Sequence, residues 1–103
     1  MNKVRVAAFG DLKEGVGLRV ELDDHQVAIF LVDGNVFAIG DRCSHAEASL
    51  SEGEVFDNEV ECPRHGSTFD IRTGEPQSLP ATKPVPTYHV SVEDEDVYLE
   101  LPE

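Results

Sequence analysis

A chain of 103 residues makes one domain and leaves no room for a second, catalytic one. Its 40% hydrophobic content is ordinary for a globular fold, and the longest apolar run, Val27-Ala28-Ile29-Phe30-Leu31-Val32, is far too short to span a bilayer. Eight Lys and Arg against 21 Asp and Glu give a net charge of -13, which repels nucleic-acid phosphates and anionic lipid head groups and favours a basic protein partner.

In chain order, Val4, Val6 and Ala8 alternate with charged or small residues, the period of a half-buried strand. Lys3 and Arg5 interrupt this stretch and Gly10-Asp11 ends it, so it lacks the apolar core of a secretory signal and a cytoplasmic location is expected. Two cysteines in such a chain point to metal or catalysis more than to a disulfide. A Gly15-Val16-Gly17 turn precedes a second alternation at Leu18, Val20 and Leu22. The apolar run at 26–32, then Asp33-Gly34-Asn35, then Val36-Phe37-Ala38-Ile39 is the strongest hairpin signal present.

From Gly40 to about Lys83 the pattern dissolves into Gly, Ser, Asp and Pro, with brief strand-like pieces at 54–56, 59–62 and 68–71. Ala46 to Leu50 is too short to sustain a helix and reads as loop. Pro76, Pro80, Pro84 and Pro86 stiffen the exit and bar it from a central strand position. Strands resume at Val85 to Val92 and Val97 to Leu101, joined by a solvated turn at Glu93-Asp94-Glu95-Asp96. The whole reads as a single all-β domain, 1–103, with a basal scaffold at 1–39 and 82–103 and a site-bearing insertion at 40–81.

That insertion holds both cysteines, as Cys43-Ser44-His45 and Cys62-Pro63-Arg64-His65. Two soft thiolates and two imidazoles suit either tetrahedral zinc or an iron–sulfur cluster. Cys43-x-His45 is tighter than the usual zinc pair, and each loop carries one cysteine and one histidine. Each loop can therefore reach two metal atoms, with cysteines on one iron and histidines on the other, which is the ligation of a Rieske centre.

With Cys43-Ser44-His45, Cys62-Pro63-Arg64-His65-Gly66-Ser67-Thr68-Phe69-Asp70 and Arg72-Thr73-Gly74-Glu75, the sequence resembles the Rieske ferredoxins of ring-hydroxylating, biphenyl- or naphthalene-type dioxygenases. The likeness runs from the Asp33-Gly34-Asn35 hairpin through Ser51-Glu52-Gly53 and Leu79-Pro80-Ala81 to Val97-Tyr98-Leu99. It implies a Rieske-type antiparallel β-sandwich whose inserted subdomain, 40–81, binds one [2Fe–2S] cluster. Cys43 and Cys62 would hold the buried iron, and His45 and His65 the outer one at the protein tip. The implied role is that of a soluble monomeric one-electron carrier, docking transiently at that histidine tip. It would link a flavin-dependent NAD(P)H-oxidising ferredoxin reductase to a terminal Rieske non-haem iron oxygenase. The chain has no dinucleotide fingerprint, and no 2-His-1-carboxylate iron site remains once His45 and His65 are used, so it is not itself a catalyst. The rival readings are a small subunit of an assimilatory nitrite reductase and a structural zinc module.

Two ferric ions, two sulfides, two thiolates and two neutral imidazoles sum to zero, whereas four thiolates leave a dianion. Reduction is therefore easier than in plant-type ferredoxins, within roughly −150 to +300 mV. High-potential members of the family carry a second cysteine pair where this chain has Ala48 and Arg64, and a tyrosine hydroxyl where it has Phe69, which donates no hydrogen bond. Ser67 matches a serine that bonds a bridging sulfide. Fewer donors place the potential at the low end of the window, lifted somewhat by Ser67 and Arg64. Arg42 and Arg64 flank the ligand loops, Gly66 allows close backbone approach, and Pro80 belongs to a shielding proline loop. His25, in an Asp23-Asp24-His25 turn, and His89, in a strand, read as structural or solvated.

Overall fold

In the computed structural model, which describes residues 2–22, 25–42, 48–64, 66–78 and 83–101, the described residues form two antiparallel sheets. The larger has the order β1 (Asn2–Ala8), β9 (Asp96–Leu101), β8 (Thr87–Glu93), β4 (Asn35–Gly40), β3 (His25–Val32) and β2 (Leu18–Leu22). The smaller, β5 (Val55–Phe56), β6 (Glu59–Glu61) and β7 (Thr68–Asp70), is inserted between β4 and β8. No helix among the described residues is long and apolar enough to cross a membrane.

β3 carries an unbroken apolar run because both of its faces are buried. Val27 and Ile29 share a core with Ala7, Ala38, Val97 and Leu99. Since that core draws on β1 and β9 as well as β3 and β4, the six-stranded sheet folds over on itself as a sandwich. Ala28, Phe30 and Val32 point the other way, into a second core with Leu50, Val60, Cys62 and Phe69. One strand thus fastens the inserted sheet to the scaffold.

Local geometry corrects several expectations. A register shift between Arg5 and Ala7 bulges β1 at Val6, so Ala7 and not Ala8 reaches the core. Asn35 already pairs with Val32, and the hairpin turn is only Asp33-Gly34, with φ of 51° and 80°. Likewise Glu93 and Asp96 belong to strands, where they pair with Lys3 and Arg5, and Asp94-Glu95 alone form the exposed turn. Val85 and Pro86 precede β8: the Val85 N–H donates to Gly74 O at 2.9 Å, outside any ladder. Short 3-10 turns at Phe9–Asp11 and Leu50–Glu52 had no sequence signal beyond a few polar residues.

Candidate metal centre

Of the expected ligands only Cys62 is described. Cys43, His45 and His65, and Pro80 of the third loop, lie outside the described residues, and no three His, Cys, Asp or Glu side chains among the described residues form a metal group. The structure nevertheless shows how the three segments are held at their bases.

The first loop leaves β4 at Asp41. Arg42, exposed, forms an antiparallel bridge with Ser49, and the Leu50 N–H donates to Asp41 O at 2.6 Å, so the entry and exit of this loop are held together. Ala48 and Leu50, at its exit, pack into the same core as Cys62. Gly53 lets this exit lie flat on β6, since a Cβ there would stand 1.9 Å from Glu61 O.

The second loop joins β6 to β7. Its ends are closed by Cys62 N–H to Ser67 O at 2.7 Å and Gly66 N–H to Cys62 O at 3.0 Å. Gly66 holds φ +76°, which an L side chain rarely adopts, and a Cβ there would meet nothing within 4 Å, so backbone conformation demands this glycine. Cys62 is fully buried and in no disulfide, and Ser67, its hydrogen-bond partner across the loop, is fully buried too. Arg64 is exposed at the turn, and Phe69 is fully buried in the core that holds Cys62.

The third segment runs beside β7, with Asp70 N–H to Glu75 O at 2.9 Å, Gln77 N–H to Thr68 O at 2.7 Å and Thr68 N–H to Ser78 Oγ at 2.9 Å. Pro76 takes only an isolated bridge to Phe69, as a residue without an N–H must on a sheet edge. Ser78 therefore stands next to the base of the second loop. A dry thiol in a closed loop whose base shares a core with the first loop suits a thiolate-bound cluster shielded from water, so the described part of the donor set fits an iron–sulfur group.

Asp70 fixes the turn after β7. It accepts from the Arg72 backbone N–H at 2.8 Å and from the guanidinium at 3.1 and 3.3 Å. Hydrogen bonding by Arg72 holds its carboxyl below the usual 3.8, with burial opposing. Because the folded value is depressed, this contribution to stability is fully present above about pH 4 and is lost as pH falls through the folded value. Asp70→Asn is expected to destabilise the protein at pH 7 and to flatten the loss of stability below pH 4, read from denaturant titrations at each pH. An acid limb as steep as the parent's would count against it.

Asp41 and Ser49 carry no motif in the sequence, and Ser51 and Gly53 stand out only within the Ser51-Glu52-Gly53 likeness. An acid placed between a buried strand and a loop, with serines eight and ten residues on, was the available signal for a side chain that caps backbone. Of the weaker candidates, His25 opens β3 instead of sitting in a turn, and Asp23 and Asp24 lie outside the described residues. Its Nδ1 is 3.1 Å from Tyr88 Oη and its ring meets Tyr88 edge to face. His89 is exposed, with Nδ1 2.7 Å from Glu100 Oε2. Both sit on the six-stranded sheet, as ordinary structural histidines.

Residues 2–89 match the Rieske [2Fe-2S] domain family. The 3-phenylpropionate/cinnamic acid dioxygenase ferredoxin subunit of Escherichia coli (strain K12) is 44% identical over 104 residues, which cover 100% of this chain and 97% of that protein. Among solved structures, the Sphingomonas yanoikuyae B1 ferredoxin superposes with a TM-score of 0.93 at 35% identity, over 98% of this chain and 100% of that one. A chain in the complex of reduced oxygenase and oxidized ferredoxin in carbazole 1,9a-dioxygenase superposes with a TM-score of 0.89 at 36% identity, over 94% of this chain and 91% of that one.

Proposed function

The chain belongs to the Rieske [2Fe-2S] domain family, and on that premise we propose that it is a one-electron carrier. It takes an electron from a flavin-dependent NAD(P)H-oxidising reductase and passes it to a terminal ring-hydroxylating oxygenase. The observation that carries this reading is its end-to-end likeness to a dioxygenase ferredoxin subunit. The carrier acts as a cytoplasmic monomer and catalyses no reaction by itself.

The bound cluster supplies reversible uptake of one electron. In this assignment Cys43 and Cys62 hold one iron and His45 and His65 the other, within a cluster-binding subdomain at 40–81 on a scaffold of 1–39 and 82–103. Full burial of Cys62 keeps water from the thiolate side, so the electron enters and leaves by the histidine edges, where partners dock transiently. In this reading Gly66, Ser67 and Pro80 would line the cluster, with Ser67 as a hydrogen-bond donor to it, while Arg42 at the entry of the first loop and Arg64 at the turn of the second would face the partner. Phe69, buried in the core of Cys62, offers no donor.

Adding the purified protein to reductase and oxygenase should restore substrate turnover, and no gain over the two enzymes alone sinks the proposal. Stable co-purification with a nitrite reductase would favour the nitrite reductase subunit instead. A potential below +100 mV is expected from the missing donor at Phe69, measured by redox titration.

Lys3, Arg5, Arg19 and Arg72 are each engaged by a carboxylate. Their charge is neutralised locally, and the net -13 dominates the field at a distance. Electron transfer from the reductase should therefore slow severalfold between about 10 mM and 0.5 M salt, as screening shortens the steering range. Rates independent of salt would remove that role for the acidic surface.

A further inference from the structure

Asp41 is 2% exposed and, among the described residues, is the buried charged side chain. Its carboxylate accepts from the Ser51 N–H at 2.8 Å on Oδ1 and from the Ser49 hydroxyl at 2.6 Å on Oδ2, with Arg19 Nε 3.5 Å from Oδ2. Its backbone is held too, by N–H to Gln26 O at 2.9 Å and C=O from Leu50 N–H at 2.6 Å. One residue thus ties β3 to the entry of the first loop and the entry to its exit. Arg19, the cation that faces it, is half exposed, at the mouth of a cleft of about 420 Å³ that Asp41 also lines.

We propose that Asp41 is the positioning residue of the first ligand loop and the fixed anion that holds the cluster's potential down. The proposal rests on Cys43 being a ligand. Asp41 precedes it by two residues, and two Cα–Cα steps of about 3.8 Å keep their Cα atoms within about 8 Å. An electron arriving at the cluster would add one negative charge, and a buried carboxylate two residues from a ligand would oppose it through a medium that screens less than water. The same carboxylate holds Ser49 and Ser51, so the loop's exit cannot swing from its entry without stripping a buried charge of its two short hydrogen bonds and leaving only the longer Arg19 contact.

A spectroelectrochemical titration of the full holoprotein separates the two roles. Asp41→Asn keeps the shape and one acceptor but not the charge. At a fixed applied potential its ratio of reduced to oxidised cluster should rise about tenfold, an upward shift of about 59 mV. Arg19→Gln removes the counter-charge and should move the ratio about twofold the other way, about 18 mV. Asp41→Ala should release iron to a chelator severalfold faster than Asp41→Asn. If the alanine variant does not fold, Ser49→Ala, which removes one donor, should show a smaller acceleration over the parent. An unmoved ratio in Asp41→Asn overturns the charge assignment, and parental iron release in Ser49→Ala overturns the positioning role. A cluster that survives Cys43→Ser instead overturns the ligand reading on which both rest.

Discussion

Cys62→Ser is expected to give a folded, colourless protein that lowers reductase-linked turnover by at least a hundredfold. The thiol is fully buried at the end of β6, and a serine hydroxyl there is a hard, weakly acidic donor that does not replace a thiolate on iron. The fold survives because the core of Val27, Ile29, Ala38, Val97 and Leu99 contains none of the four expected ligands. Iron and sulfide content per chain, the visible spectrum and the reduced-state electron paramagnetic resonance signal report the loss. His89→Ala is the matched control. Its ring is 71% exposed and faces Glu100, so the cluster and its signal should be unchanged. A full iron complement in Cys62→Ser, or its loss in His89→Ala, would show that the ligand set is wrong.

Gly74→Ala is expected to destabilise the protein by about 2–4 kcal/mol, roughly a 10–25 °C fall in Tm. A Cβ there would stand 2.2 Å from Val85 O and 3.3 Å from Thr87 Cγ2, at φ +77°. The obstacle is backbone, and no flexible side chain can move aside. Gly74 also donates to Asp70 O at 2.7 Å and accepts from Val85 N–H at 2.9 Å, so relief by backbone shift would break the seam that brings the chain back toward β8. Gly66→Ala separates the two costs. It shares the left-handed conformation, at φ +76°, but has no protein atom within 4 Å of the new methyl, and in the cluster-free protein should lose only about 1–2 kcal/mol. Chemical denaturation midpoints at constant m measure both. Equal losses at the two positions would mean that crowding against Val85 contributes nothing.

Much of this molecule was legible because its signals are local. Alternation at Leu18, Val20 and Leu22 marked a half-buried strand, and Asp33-Gly34-Asn35 marked a turn of which Asp33 and Gly34 take the left-handed conformation. Cys43-x-His45 and Cys62-x-x-His65 pointed to two-metal ligation because each loop carries one soft and one borderline donor. Alternation placed Ala8 inward where Ala7 is buried, because a bulge at Val6 changes which residue faces the core without changing composition. The role of Asp41, and the crowding at Gly74 that its Arg72-Thr73-Gly74-Glu75 motif does not reveal, depend on partners 8 to 11 residues away, at Ser49, Ser51 and Val85.

What the sequence determined by itself was most of the strand content, the kind of cofactor and the sign of the surface charge, since each depends on residue identity or on short-range spacing. Only the tertiary structure decided that β3 is buried on both faces and joins two cores, that the bases of the two ligand loops meet around Ala48, Leu50 and Cys62, and that a buried carboxylate closes the first of them. Those features depend on which distant segments share an interior, and hydrophobic burial is blind to order along the chain.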